Sequence, residues 1–245
     1  TIYELFEYIE GENYDATPGS TYHAGHTQGL YHKLLQHFKT TYSPPIGSYH
    51  DAQAIRQMTS TAPDELKLGD EAQTVKALTL IKMIGQAYDN CATKANNLGL
   101  TEWAKQIVHG DWHPGNMLFR NGKVVAVIDY DTARYQQRVI DMANGALQFS
   151  ILGGTGDPRT WPDHLDVDRL KEFIRGYDAV NVVSVAEIRS IPFLMCEAMI
   201  AEAILPVIAT GNFGRFDGVS FLEMIAKKIK WIFKNLDAIY KLLDA

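Results

Sequence analysis

Between residues 106 and 131 the sequence changes from helical to strand-like periodicity, and this change most restricts the possible folds. Three short apolar runs are separated by polar turns there, and Asn121-Gly122, between the last two, is a strong signal for a β-hairpin. The segments on either side place apolar residues three or four positions apart, as helices do. The sequence therefore predicts an α+β fold that is mainly helical, with one small β-hairpin near its middle.

Six segments outside this region have helical periodicity. The first helix follows Pro18, and a loop around Gly47 comes after it. Its apolar positions are predicted to be Leu30, Leu34, Leu35 and Phe38. The second, residues 70–96, is predicted to bury one face made of Val75, Leu78, Ile81, Ile84, Tyr88 and Cys91. The others are predicted over residues 138–151, 167–177, 185–208 and 220–243.

Composition excludes several classes of protein. The chain has 245 residues, of which 46% are hydrophobic and 21% charged, as expected for one compact, soluble domain. Its 23 basic and 29 acidic residues give a net charge of −6 without a basic stripe, so nucleic acid is not an expected partner. We also expect no membrane span and no secretion leader. Two distant cysteines cannot form a disulfide framework, which favours a cytoplasmic location.

The polar residues that indicate chemistry follow Ile107. Asn116 comes five residues after Asp111, and Asp129 comes thirteen residues after Asn116, at the end of the second hairpin strand. Phosphoryl transfer from ATP needs a carboxylate to accept the proton of the attacking hydroxyl, and oxygen ligands that hold Mg²⁺. Asp111, Asn116 and Asp129 can supply these groups with the spacing of a kinase catalytic loop.

The motif as a whole resembles a known family. His-Gly-Asp-x-His-x-x-Asn, followed by Ile-Asp-x-Asp, is similar to the aminoglycoside phosphotransferase family, which shares its fold with choline kinase and protein kinases. The resemblance implies that residues 11–245 form the carboxy-terminal lobe of a protein-kinase-like fold. Residues 1–10 would be the last strand of the amino-terminal lobe and the hinge, in which Glu7, Tyr8 and Ile9 would pair with adenine.

The resemblance also implies roles for single residues. Asp111 would be the catalytic base, and Asn116 and Asp129 the ligands of Mg²⁺, with ATP or another nucleoside triphosphate as the donor. His109 would pack beneath the loop as a structural residue, and Asp141 would brace the loop from a helix start. Residues 135–138 replace the usual Gly-Pro of the family with Tyr-Gln-Gln-Arg, which leaves the local loop shape open.

Part of the expected fold has no counterpart in this sequence. There is no Gly-rich loop and no Val-Ala-x-Lys strand before the hinge, since the first lysine is Lys33. We therefore expect the amino-terminal ATP-clamping lobe to be absent from these 245 residues. We favour the interpretation that these residues are part of a longer, active kinase over the interpretation that the protein has lost the lobe.

The resemblance implies a small hydroxyl-bearing acceptor. Glu187, Glu197 and Glu202 fall on a predicted helix where the family builds its substrate cleft, although an ordinary polar helix face is the favoured explanation. Residues 1–32 contain five acidic side chains and no lysine or arginine, which mildly favours a cationic acceptor. The identity of the acceptor, the choice of ATP or GTP, and the oligomeric state are not indicated by the sequence.

Two other functions fit parts of the sequence. A lobe-deficient, pseudokinase-like protein would bind a ligand without transferring phosphate. Asp111-Trp112-His113 also has the Asp-x-His pattern of metallophosphatases, but Met117 rather than histidine follows Gly115-Asn116. His113 is expected to be a hydrogen-bonding group of the loop. The three histidines of the first helix do not share one turn, so they are expected to be solvated; they are His23, His26 and His32.

Overall fold

The computed structural model describes residues 7–39, 41, 47–66 and 68–244. Within these ranges it contains eight α-helices and three two-stranded antiparallel sheets. The helices are α1 (Pro18–Leu35), α2 (Gln53–Glu65), α3 (Glu71–Asn97), α4 (Arg138–Ser150), α5 (Val167–Asp178), α6 (Val185–Thr210), α7 (Gly218–Lys234) and α8 (Leu236–Leu243). The strands are β1 (Lys105–Val108), β2 (Met117–Arg120), β3 (Lys123–Val127), β4 (Arg134–Gln137), β5 (Asn212–Phe213) and β6 (Phe216–Asp217). The strand predicted over residues 1–6 lies outside the described residues.

The mainly helical α+β fold is confirmed, and the bounds of α4, α5 and α6 agree with the prediction to within two residues. The helix predicted over residues 220–243 is instead divided into α7 and α8 at Asn235, whose backbone is not helical. The sequence did not predict α2. Only two of its residues, Ile55 and Ala62, are buried.

The predicted hairpin is formed by β2 and β3. Asn121 and Gly122 connect them with φ angles of 50° and 72°, the left-handed conformations that a tight hairpin turn requires. β1 pairs instead with β4, the unpredicted strand that contains the Tyr-Gln-Gln segment. In β4, Gln137 is buried and its Nε2 donates to the carbonyl of Leu100, so hydrogen bonding rather than an apolar pattern secures this strand.

α6 is the central helix of the core, in contact with α2, α3, α4, α7 and α8. By length and composition it could cross a membrane, contrary to the expectation that no segment of this sequence reaches that limit. In the structure, however, 78% of its most apolar 18-residue window is buried inside the molecule. Most of its apolar surface is thus covered by other helices of the same chain.

The buried face of α1 differs from the prediction. Leu34 and Phe38, at the end of the predicted apolar stripe, are 71% and 57% exposed, and the buried face of α1 consists of small and polar residues. The reason is a very close contact with α5. A Cβ placed on Gly25 would lie 1.9 Å from the carbonyl oxygen of Phe173, and one on Gly176 would lie 2.0 Å from the carbonyl oxygen of Tyr22. The two backbones touch where larger side chains would keep them apart.

The face predicted for residues 70–96 is partly confirmed in α3. Ile81, Ile84, Tyr88 and Cys91 are buried, as expected. Val75, in the first turns of α3, is exposed. This position lies next to the groove between α2 and α3, where no described residue covers it.

Candidate active site

The segment that carries the kinase-like motif connects β1 to β2. Gly110 has a φ of 82°, and a Cβ at this position would lie 2.4 Å from the carbonyl oxygen of Thr132. Thr132 also donates its hydroxyl hydrogen to the carbonyl of His109. The loop is therefore pressed against the turn that follows Asp129, and glycine is needed at residue 110 for both its conformation and its size.

Asp111 and Asn116 are in direct contact. The amide Nδ2 of Asn116 donates to Asp111 Oδ2 and to the Asp111 carbonyl oxygen, both at 3.0 Å. His113 Nε2 lies 3.4 Å from Asp111 Oδ2, and this contact lowers the pKa of Asp111. The carboxylate is half-buried and stays ionised at neutral pH, which is the state that a proton acceptor needs.

His113 is a hydrogen-bonding group of the loop, as its position suggested. Its Nδ1 accepts the N–H of Gly115 at 3.0 Å. Asp111 raises the pKa of His113, whereas the bond from Gly115 opposes protonation at Nδ1. The imidazole thus directs Nε2 toward the Asp111 carboxylate while Nδ1 holds the turn.

Asp129 is held next to Asn116 through the backbone. The N–H of Ile128 donates to the carbonyl of Asn116 at 3.0 Å, and Asp129 then adopts a left-handed conformation with φ 65° and ψ 67°. The Asp129 carboxylate is exposed and makes no hydrogen bond or ion pair with any described residue. The backbone at Asp129 is therefore held close to Asn116, which itself contacts Asp111, while the Asp129 carboxylate is unengaged by any described residue.

Two buried residues support the loop from below. His109 accepts the N–H of Asp111 at Nδ1 and donates from Nε2 to the Ile128 carbonyl at 3.0 Å. Asp141, in the first turn of α4, accepts the N–H of Gly110 at 2.8 Å. His109 links the catalytic loop to the end of β3, and Asp141 links the loop to α4. Both residues thus occupy positions suited to their predicted supporting roles.

The predicted hinge runs beside the hairpin. Glu7, Tyr8 and Ile9 are exposed, and the exposed fraction of Tyr8 is 88%. Directly after them, Glu12 and Phe119 exchange two backbone hydrogen bonds of 2.7 and 2.9 Å. The exposed segment is thereby attached to the strand that follows the catalytic loop.

Two of the glutamates considered for the cleft lie in different environments. Glu202 Oε1 accepts a hydrogen bond from Gln148 of α4 at 2.8 Å. Its side chain reaches solvent, yet the surrounding protein raises its pKa to about 7, and the nearby negative charge of Asp111 adds to the effect. Glu197 is fully buried, and it accepts hydrogen bonds from His50 and from the N–H of Asp51. Glu202 is therefore near enough to Asp111 for the two charges to interact, whereas Glu197 is engaged by His50.

One buried histidine was missed by sequence reasoning. His32 is not solvated as expected but fully buried, and it contacts Asp141. His23 and His26 are partly exposed on the same helix. Among the residues that the structure describes, no group of three or more His, Cys, Asp or Glu side chains is arranged to hold a metal ion.

Comparison with known proteins identifies the family. A family model described as the phosphotransferase enzyme family matches residues 1–183. The chain belongs to this phosphotransferase family. No curated protein matches its sequence.

Solved structures similar to this phosphotransferase-family chain share its fold at low sequence identity. An aminoglycoside phosphotransferase from Alicyclobacillus acidocaldarius has a TM-score of 0.64 and 16% identity, over 97% of this chain and 70% of the other. A choline kinase from Cryptosporidium parvum has a TM-score of 0.60 and 13% identity, over 97% and 73%. The amicoumacin kinase hAmiN, in complex with AMP-PNP, Ca²⁺ and Ami, has a TM-score of 0.60 and 16% identity.

These similarities confirm the expected protein-kinase-like fold. The chain spans 64% of the length of the amicoumacin kinase, which is less than two thirds. The expected absence of an amino-terminal lobe from these residues stays a prediction.

Proposed function

We propose that this chain belongs to a nucleoside-triphosphate-dependent phosphotransferase that moves the γ-phosphoryl group of ATP to a hydroxyl of a small molecule. The observation that carries the proposal is the contact of Asn116 with Asp111, combined with the backbone bond that holds Asp129 beside Asn116. Family membership supports the same reaction class.

Asp111 is the proposed base. Asn116 and His113 both approach its Oδ2 atom, which leaves Oδ1 for the acceptor hydroxyl. Oδ1 can then orient that hydroxyl and take its proton as the oxygen attacks phosphorus. Asn116 thus fixes the rotamer of the base as well as occupying the position of a metal ligand.

Asn116 and Asp129 fit a Mg²⁺ site. In the described part of the chain, neither Asn116 Oδ1 nor the Asp129 carboxylate has a hydrogen-bond partner. Mg²⁺ is commonly held by one or two protein oxygens together with phosphate oxygens, so two side chains are enough. When bound, the ion would neutralise charge on the phosphates.

Metal removal should therefore abolish activity and weaken nucleotide binding. We expect EDTA to stop transfer and excess Mg²⁺ to restore it. Asp129→Asn should weaken binding of the non-hydrolysable analogue AMP-PNP by at least tenfold with Mg²⁺ present, and change it little without Mg²⁺. Isothermal titration calorimetry measures the affinity for AMP-PNP with and without Mg²⁺. Equal affinity of the variant and the natural protein in Mg²⁺ would contradict the metal assignment.

The exposed backbone of Glu7, Tyr8 and Ile9 is proposed to pair with the adenine ring. Its attachment to β2 through Glu12 places it beside the strand that leads from Asn116. The ratio of the transfer rates with ATP and with GTP measures how strongly this backbone prefers adenine to guanine.

The acceptor is proposed to be a small hydroxyl compound that carries a cationic group, which Glu202 would receive. Gln148 donates a hydrogen bond to this carboxylate, and the charges of Asp111 and His113 on the catalytic loop act on its pKa. Aminoglycosides, choline, ethanolamine and aminopropanol, named for structurally similar kinases, form a suitable first panel.

The pKa of Glu202 gives this acceptor site a pH dependence. Because that pKa is about 7, the carboxyl group is mostly neutral below pH 7 and mostly ionised above it. The KM for a cationic acceptor should fall about three- to fourfold between pH 6 and 8, since an exposed ion pair contributes up to about 1 kcal/mol and the carboxyl group is incompletely converted over this range. Glu202→Gln should remove this change. An unchanged pH profile in the variant would exclude Glu202 as the receiving group.

The test of the proposed function is transfer of labelled γ-phosphate from Mg²⁺·ATP to each acceptor, using the complete gene product. Acceptor-dependent incorporation supports the proposal. Tight binding of ATP or acceptor without transfer would support the pseudokinase-like alternative instead.

A further inference from the structure

The segment that leads into α2, residues 48–52, is attached to three different helices. The hydroxyl of Tyr49 donates to the carbonyl of Ile140 on α4 at 2.6 Å. The N–H of Ala52 donates to the hydroxyl oxygen of Tyr88 on α3 at 2.8 Å. The attachment to α6 is made by the two residues between them. These contacts set where α2 begins, since Ala52 directly precedes its first turn.

His50 and Asp51 make the attachment to α6. Nδ1 of His50 lies 3.0 and 3.1 Å from the two carboxylate oxygens of Glu197, and its Nε2 lies 3.0 Å from Oδ1 of Asn96 on α3. The N–H of Asp51 also donates to Glu197, at 3.0 Å. The His50 side chain is 6% exposed and that of Glu197 is fully buried. The ring therefore depends on these protein atoms for its hydrogen bonds.

The partners of His50 determine its protonation. Asn96 Nδ2 donates to the Asp51 carboxylate at 3.0 Å, and a carboxylate only accepts hydrogen bonds. Asn96 therefore turns its oxygen, rather than its nitrogen, toward His50. Because an oxygen acceptor faces each ring nitrogen, both nitrogens must carry a hydrogen, and only the imidazolium form has both. His50 and Glu197 thus form a buried ion pair.

The charges around this ion pair favour its protonated histidine. Burial of the imidazole opposes protonation, but the hydrogen bond and the charge of Glu197 outweigh this effect and raise the pKa of His50. Burial also raises the pKa of Glu197. Both groups therefore keep their protons to a higher pH in the folded protein than in the unfolded chain. The other titratable groups near the pair come from residues 48–52, α2, α3 and α6, and they are Tyr49, Asp51, Arg56, Tyr88, Asp89 and Cys196.

We propose that His50 is a pH-sensitive latch: its imidazolium ties residues 48–52 to α3 and α6, and loss of its proton to solvent releases this segment and the first turn of α2. The neutral ring has one N–H and cannot donate to Glu197 and Asn96 together. Either Asn96 loses its donor, or Glu197 loses the cation beside its buried carboxylate, which is costly. Asp51 has a left-handed backbone with φ 51°, so its strained conformation favours release once these bonds weaken. The latch does not depend on phosphotransfer activity.

Rising pH should therefore loosen residues 48–52 before the rest of the fold. Because the folded pKa of His50 is raised, its contribution to stability is complete below the ordinary value of about 6.5 and is lost as pH rises through the folded pKa. In the complete gene product, ¹⁵N NMR of the imidazole nitrogens measures this titration. Amide hydrogen exchange, corrected for the intrinsic effect of pH, measures the release. We expect protection of the Asp51 and Ala52 amides to fall at least tenfold across the titration of His50, while the amides of α7 keep their protection.

Two substitutions separate the charge from the shape of the pair. Glu197→Gln keeps the side-chain shape and removes the charge, so it should move the midpoint of the His50 titration to lower pH by about 1 or more. The release of residues 48–52 should move with it. His50→Gln cannot titrate, and it should give weak protection at every pH. His37→Gln is the matched control, since it makes the same change at an exposed histidine and should behave as the natural protein.

The natural protein alone can overturn the proposal, even if a variant fails to fold. A single N–H on the His50 ring at neutral pH would do so, and so would constant protection of residues 48–52 throughout its titration. Equal loss of protection in α7 would mean that the whole fold opens, and it would also overturn the latch. In Glu197→Gln, a release midpoint that stays at the natural pH while His50 titrates lower would separate the release from His50 and refute it.

Discussion

Replacing Asp111 by asparagine is expected to lower kcat of phosphotransfer by about 10²- to 10⁴-fold, the usual contribution of a positioned general base. Asparagine has nearly the same shape, and its carbonyl oxygen can still accept the hydrogen bond from Asn116. The fold and the binding of nucleotide should therefore persist, while the group that accepts the proton is lost. Tm is expected to stay within about 2 °C.

Initial rates with saturating Mg²⁺·ATP and the best acceptor measure this effect. Asp237→Asn is the matched control because it makes the same chemical change on the exposed surface of α8. It should keep the natural rate. Turnover of the Asp111 variant within tenfold of the control would refute the assignment of the base.

Substitution of Gly25 by alanine should lower the free energy of unfolding by about 2 kcal/mol or more, the cost of overpacking a contact that cannot relax. The new methyl group would lie 1.9 Å from the carbonyl oxygen of Phe173, so α1 and α5 must separate. The expected loss exceeds the gain of about 1 kcal/mol that alanine brings to a helix interior. For a chain of this size we expect Tm to fall by roughly 4–8 °C.

Gly19→Ala provides the control within the same helix. No atom lies within 4 Å of a Cβ at that position, so only the helix propensity changes. Its free energy of unfolding should rise by at most about 1 kcal/mol. Thermal and urea unfolding of the two variants give the comparison. Equal stability of Gly25→Ala and Gly19→Ala would mean that α1 and α5 are not in such close contact.

The residues that sequence reasoning located well are those whose partners are near in the chain. Asp111 and Asn116 are five residues apart on one loop, and the Asn121-Gly122 turn fixes the pairing of the strands around it. Short separations leave few possible geometries, so residue spacing almost determines the contact. The position of Asp129 could be predicted too, because the hairpin returns the chain to Asn116.

The contacts that sequence reasoning missed join distant parts of the chain. His32 and Asp141 are 109 residues apart, and only the packing of α1 on α5 and α4 brings them together. A helix that buries glycine, glutamine and histidine while exposing leucine has no apolar periodicity to indicate its inner face. Glu197 and Glu202 show the same limit, since only the three-dimensional structure reveals that His50 engages one of them.

α4 carries both ends of the candidate site. Asp141 in its first turn supports the catalytic loop, and Gln148 in its last turns holds Glu202. Seven residues of α-helix span about 10 Å, and a helix does not stretch. Under the proposed function, α4 would set a fixed distance between Asp111 and Glu202. The protein would then select acceptors by the separation between the reacting hydroxyl and the cationic group.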